Sequence, residues 1–245
     1  MTKVGGGSAV ATVAQAIRED IFRMADGEFI GSEESLIERY GVSRPTLRQA
    51  AGLLLQEQLL TARRGVRGGF FARRPDSAAV THMMALYLRS REVKVRQLIE
   101  TMLPIRTEIA RLAARSRNKP VRAALATFLK GESAMTEPFR FDAFIEAERQ
   151  FNLLLAKLSG NTTLSLFLEV MLDLSAMVHK EGDVYRADPQ RMIAYREARN
   201  GLAAAVLNED GELAMVFARR CAEMTHRWVC EISDPDNMIM GARPN

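Results

Sequence analysis

Arg44 and Arg48 stand four residues apart in the run Gly41-Val42-Ser43-Arg44-Pro45-Thr46-Leu47-Arg48-Gln49-Ala50. Residues i and i+4 share a helix face, so this spacing aims two guanidinium groups the same way, with Thr46 and Gln49 beside them. Such a face suits the major groove of DNA, where an arginine fork takes two acceptors on guanine and glutamine does the same on adenine. A second cationic set, Arg63, Arg64 and Arg67, precedes Gly68. Arginines in a glycine-rich loop suit phosphates or the minor groove. The competing reading is a plain helical hairpin with solvated arginines. Catalysis finds little support, because Glu146, Glu148 and His179 lack any spacing of nucleophile, base and orienting group. The three histidines, His82, His179 and His226, read as structural or solvated. His226 and Cys230 share a helix face, but two candidate ligands are weak evidence for zinc.

The elements that must hold these arginines follow from caps and periodicity. Ser32 caps a helix over Glu33 to Tyr40, whose acidic first turn faces the positive end of the helix dipole. Gly41 supplies the left-handed residue that stops it. Ser43 caps a second helix, with Pro45 in the first turn, where its missing N–H costs little. Leu47, Ala50, Ala51, Leu54 and Leu55 recur at helical spacing and predict a buried stripe through about Gln58. Two short helices joined by a tight Gly-Val-Ser turn make a helix-turn-helix, the second being the recognition helix. Leu59-Leu60-Thr61 and Gly69-Phe70-Phe71-Ala72 read as short strands joined by the arginine loop, which makes that loop a wing. Ala9 to about Asp26 is amphipathic, with Val10, Val13, Ile17, Ile21 and Met24 on one face, and packs behind them.

Charge is unevenly spread. The chain of 245 residues carries a net +4, yet Arg39 to Arg74 hold eight arginines against Glu57 alone, a net of +7 that leaves −3 elsewhere. One strongly basic segment in a mildly charged chain argues for a DNA-binding module attached to a neutral domain. Cys221 and Cys230 fall nine residues apart on one predicted helix, about 13 Å, too far for a disulfide. The chain reads as cytoplasmic, with no apolar run of membrane-spanning length and no signal-peptide core.

Pro75 marks a boundary, and beyond it no convincing strand appears. Helices are predicted over 77–89, 95–114 with Pro104 kinking it, 120–135, 141–158, 162–180, 189–208 and 210–231. A break falls at Glu137-Pro138. The fold class is therefore mainly α, an N-terminal winged helix-turn-helix followed by an all-α antiparallel bundle. The predicted domains are 9–74 for DNA binding, 75–80 as linker, 81–232 for effector binding and dimerisation, and 233–245 as a flexible tail. Met1 to Ser8 reads as a loose arm.

From Ala9 to Arg73 the chain resembles the GntR family of bacterial transcription regulators. Gly27-Glu28-Phe29, the opening Ser32-Glu33 with Leu36, the run Val42 to Ala50, and Arg67-Gly68-Gly69-Phe70-Phe71 carry the match. The resemblance implies that Arg44 and Arg48 touch bases or phosphates and that Gly68 is the wing tip. Where that family often has an arginine after Ser-Glu, this chain has Glu34, which removes one implied contact and points to a different site sequence. The bundle is similar to the FadR branch with its FCD-type effector domain, through Val95, Leu98, Glu100, Ala110 to Ala114, Phe151, Leu153 to Asn161, Ala205-Val206, Asp210, Glu212 and Ala214.

Many members of that branch hold a divalent metal, and the positions implied for it here are Glu148, Asn152, Arg199 and Cys221. Asn152 is a weak neutral ligand, and Arg199 cannot ligate because it stays protonated. The expectation is therefore no metal and no cofactor. Two readings of the altered pocket stay open. Arg199 with Arg106 could clamp a carboxylate or phosphate beside the apolar Met102. Alternatively, Arg199 pairs with Glu148 as an internal strut. The implied function is a ligand-responsive transcription regulator, a repressor that binds a near-palindromic double-stranded operator as a homodimer, with a small organic acid as effector. The rival is a constitutive or architectural DNA-binding protein whose bundle only dimerises. Neither an enzyme nor a membrane protein is expected.

Overall fold

A computed structural model describes residues 9–65, 68–134, 140–178 and 183–232. The expected arm 1–8, Arg67, the break at Glu137-Pro138, His179 and the tail 233–245 lie outside the described residues. The chain divides into two compact units, Met1–Asp76 and Ser77–Asn245.

The first unit runs α1 (Ala9–Arg23), β1 (Phe29–Gly31), α2 (Glu33–Tyr40), α3 (Arg44–Gln56), β2 (Leu60–Arg63) and β3 (Gly69–Ala72). Local chemistry sets these limits. Ser32 Oγ accepts from the Ser35 N–H, and Gly41 ends α2 in the left-handed region at φ 62°. Ser43 Oγ accepts from the Thr46 N–H at the start of α3, with Pro45 just inside. Val13, Ala14, Ile17 and Ile21 of α1 pack with Leu36 and with Leu47, Ala50, Ala51 and Leu54 of α3 in one core. Leu55, expected in the buried stripe, is instead 40% exposed. It lies about 100° around the helix from Leu54, and the α1 contact covers only the narrower face.

The strands form one antiparallel sheet in the order β1-β3-β2. Pairing in the hairpin starts at Leu60 opposite Ala72, one residue later than expected, and ends at Arg63 opposite Gly69. β1 has only three residues, too few to show an alternation, and was not foreseen. Gly69 is required where it stands: its φ is +152°, and a Cβ there would lie 2.6 Å from a ring carbon of Phe29 and 2.7 Å from the Gly31 carbonyl oxygen.

The second unit is all helical among the described residues: α4 (Ser77–Ser90), α5 (Val95–Ala114), α6 (Lys119–Ala134), α7 (Phe141–Ser159), α8 (Thr162–Val178), α9 (Asp183–Arg186), α10 (Pro189–Leu207) and α11 (Gly211–Ile232). α5 is the central rod, packed against α7, α8, α10 and α11. It continues as one helix through Pro104. Its buried face, Leu98, Met102, Ile109, Ala110 and Ala113, meets Leu125 and Phe128 of α6, Phe151 and Leu155 of α7, Leu168 and Met171 of α8, and Leu202 of α10. A smaller aromatic cluster joins Phe144, Tyr185, Tyr195 and Trp228, with Tyr185 edge-on to both Tyr195 and Trp228 at centroid distances of 5.7 and 6.0 Å. α9, a single turn absent from the sequence-based prediction, carries too few residues to show a period. No helix of the described residues is long and apolar enough to cross a membrane.

Candidate functional site

In the first unit, α3 turns its apolar face to α1 and thereby points Arg44 and Arg48 to solvent, with side-chain exposures of 54% and 63%. Gln49 is exposed beside them. Ser43 and Thr46 are partly committed to the cap, their hydroxyls 2.8 Å apart. Sequence reasoning missed the partners of the two arginines. Arg48 donates from Nε to Glu33 Oε1 at 2.9 Å and from Nη2 to Glu33 Oε2 at 3.3 Å. Arg44 Nε lies 3.6 Å from Glu33 Oε1, and its Nη2 lies 3.4 Å from Glu34 Oε1. Their signal in the sequence is the acidic first turn of α2, Glu33 and Glu34, which complements the helix dipole and also sets two carboxylates beside α3.

The β2–β3 ribbon follows α3 in the same unit, and β2 packs on that helix. Arg63 and Arg64 are exposed, and the Arg63 guanidinium lies 4.3 Å from the centroid of the Phe71 ring. The Gly68 N–H donates to the Gly65 carbonyl at 2.8 Å, and a Cβ at Gly68 would meet the Arg63 carbonyl oxygen at 2.6 Å. Arg74, counted within the basic segment, uses its guanidinium to bond the Met24 carbonyl at 3.0 Å, so it holds the end of α1. Arg39 Nη2 and the Tyr40 hydroxyl both donate to Asp20 Oδ2, at 2.8 and 2.6 Å.

The second unit contains a cavity whose polar wall is Arg106, Glu148, Asn152, Tyr195 and Cys221 and whose apolar wall includes Ile109, Phe151, Leu155, Leu168 and Leu202. Glu148 is its hub. Its Oε1 accepts from Asn152 Nδ2 at 2.7 Å and from the Tyr195 hydroxyl at 2.8 Å. Arg106 Nη1 donates to the Tyr195 oxygen at 2.9 Å, and Nη2 stands 3.8 Å from Glu148 Oε1. Burial works to lower the Arg106 pKa, but Tyr195 and Glu148 outweigh it and hold the guanidinium charged. Burial first, then the Glu148 carboxylate, push the Cys221 thiol up to about 12. The space open to a water's centre is only about 10 Å³, room for about one water.

Two residues predicted for this pocket stand elsewhere. Met102 is 8% exposed in the main core and does not line the cavity, because its position on α5 faces the packed apolar layer. Arg199 is fully buried and also absent from the lining. Its Nη2 pairs with Glu132 Oε2 of α6, and its guanidinium carbon lies 5.2 and 5.6 Å from the ring centroids of Phe128 and Phe144. Glu132 also faces Arg196 Nε at 3.3 Å. The expected Arg199–Glu148 strut survives as a longer contact of 3.6 Å between Nη1 and Oε2.

These residues do not fit a divalent ion. Glu148 already accepts from two neutral donors and faces two guanidinium groups, and the buried Cys221 holds its proton. Among the described residues no three His, Cys, Asp or Glu side chains gather as ligands. His226 Nε2 and Cys230 Sγ do lie 3.7 Å apart, without a third such group among the described residues.

Fold and sites together define a winged helix-turn-helix regulator with an all-helical effector domain. Residues 95–223 match the FCD domain, and residues 9–70 match the family described as bacterial regulatory proteins, gntR family. The chain belongs to that GntR family, in its branch with an FCD domain, and is a ligand-responsive DNA-binding transcription regulator. The fold is similar to that of Streptococcus agalactiae GntR, with a TM-score of 0.68 and 18% identity, over 89% of this chain and 99% of that one. At that identity the likeness concerns fold alone. Lar of Listeria monocytogenes (16% identity, TM-score 0.44, covering 94% and 100% of the two chains) and McbR/YncC of E. coli (15%, 0.44, 92% and 99%) carry no argument here. No curated protein matches the chain.

Proposed function

We propose that the protein is a repressor that binds a near-palindromic operator as a homodimer, and that a small organic acid in the bundle sets its affinity for DNA. The observation that carries the DNA reading is the pair of exposed guanidinium groups on one face of α3. In this reading Ser43, Arg44, Thr46, Arg48 and Gln49 enter the major groove. Arg63, Arg64 and Arg67, around Gly68, follow the backbone. Two subunits would present two recognition helices to two half-sites. Replacing Arg44 or Arg48 by Ala is expected to cost about 1–3 kcal/mol in specific binding, whereas Arg63→Ala weakens all DNA alike and flattens the salt dependence. Gel-shift titrations at two salt concentrations separate these outcomes, and unchanged specific affinity for the Arg48 variant counts against the docking.

For the effector, Arg106 is the cation that lines the cavity, opposite an apolar wall, a combination that suits a carboxylate with a hydrophobic body. Glu148 and Tyr195 would have to yield space to it. The acid would change DNA affinity only to the extent that it binds one state of the protein more tightly than the other. The small free volume supports a second reading, a constitutive DNA-binding protein whose bundle only dimerises. Thermal-shift screening of small organic acids against wild type and Arg106→Ala decides between them. Stabilisation of the wild type alone, with release of DNA, supports the effector; no acid shifting either protein supports the constitutive reading.

A further inference from the structure

We propose that Glu33 is a positioning residue that makes Arg48 selective for a base, and that Glu33 with Glu34 lowers affinity for DNA of arbitrary sequence. This rests on the reading of α3 as the recognition helix. Glu33 grips Arg48 side-on, through Nε at 2.9 Å and Nη2 at 3.3 Å. A guanidinium carries five N–H groups in a planar fork. The side-on pair engages Nε–H and one hydrogen of Nη2, and leaves the end-on edge of Nη1 and Nη2 clear of this carboxylate. That end-on edge is the one that matches O6 and N7 of guanine. The side chain of Glu33 is only 24% exposed, against 63% for Arg48, so the acid is the anchored partner and the arginine the oriented one. An arginine held before docking loses less rotamer freedom when it meets a base.

Arg44 is held differently. Its contacts are longer, 3.6 Å from Nε to Glu33 and 3.4 Å from Nη2 to Glu34, and the Glu34 side chain is 70% exposed. Two carboxylates therefore sit at the rim of the reading face, where phosphates would approach. Their repulsion opposes binding driven by phosphate contacts alone, while Arg48 keeps the fork that rewards the right base. Specificity is a difference of affinities, and this arrangement works on both sides of it.

The test uses the full chain. Wild-type protein first selects duplexes from a randomised pool, and the enriched duplex and a scrambled duplex of equal length are then titrated by fluorescence anisotropy. Glu33→Gln is expected to lower the ratio of the two affinities on the order of ten-fold, and to relax preference at the same base position as Arg48→Ala. In an Arg48→Ala background it is expected to relax preference at no further base position, because the fork it orients is already gone. Glu33→Asp keeps the charge at the helix terminus but withdraws the carboxylate by one methylene. It is expected to lose the same base preference while its affinity for the scrambled duplex stays unchanged, which a general loss of the α2 cap would not produce. Glu34→Gln is expected to tighten scrambled DNA without altering the selected sequence. Wild-type preference retained in both Glu33 variants would overturn the inference with the recognition helix left standing. A wild-type protein that enriches no sequence would overturn the recognition reading itself, and this inference with it.

Discussion

Glu132 compensates the buried Arg199 and the half-buried Arg196, and is itself 4% exposed. A buried charge is tolerated only when paired, and deleting one partner leaves the other uncompensated in a poorly polarisable interior. Glu132→Ala is accordingly expected to lower bundle stability by about 3–5 kcal/mol, and the double change Glu132→Leu with Arg199→Met to recover much of that loss. Urea unfolding followed by circular dichroism checks both. The resemblance to a known family drew attention to Arg199 but not to its partner. Glu132 was nevertheless legible, because Leu125, Phe128 and Leu129 recur toward it at helical spacing, and it continues that stripe as an acid. An ionised side chain on an apolar face asks for a cation. Which cation answers is a tertiary fact, and no local spacing encodes it.

At the scale of elements, α1 and α2 are latched through Asp20, which accepts from Arg39 and from the Tyr40 hydroxyl. Burial first, and then the hydrogen bond to Asp20, push the Tyr40 hydroxyl up to about 12. Unfolded, a tyrosine titrates near 10. The folded chain thus keeps a proton that the unfolded chain gives up, and the latch contributes fully below about pH 10 and is lost as pH climbs through about 12. The gap in unfolding free energy between wild type and Tyr40→Phe should close over that interval in urea titrations at stepped pH. The helices themselves were readable because Ser32, Gly41, Ser43 and Pro45 are local signals for local events. β1 and α9 were not, because three and four residues carry no period. The β1 strand exists only because β3 offers it an edge, with Phe29 set against Phe71 at 5.2 Å.

At the scale of the whole molecule, the basic head and the mildly acidic remainder were visible in the charge count alone, and the two-unit division falls at Asp76. What composition does not encode is which apolar residues remain uncovered. α4 packs on α8 yet leaves Val80, Met83, Leu86 and Tyr87 outward, Met83 at 64% exposure. An apolar helix face of this kind marks an association surface, and it supports the proposal of a homodimer. Met83→Lys is expected to shift the protein toward monomer in light scattering coupled to size exclusion, and to weaken binding to a two-half-site duplex more than to a single half-site. An unchanged dimer mass would place the subunit contact elsewhere.

The aromatic cluster has a practical consequence. Trp228 is the only tryptophan in the chain, and Tyr185 links it edge-on to Tyr195, whose hydroxyl lies on the cavity wall. The regulator therefore contains its own fluorophore two rings from the proposed effector site. Occupancy of that site becomes measurable as a change in intrinsic emission, without dye, label or operator.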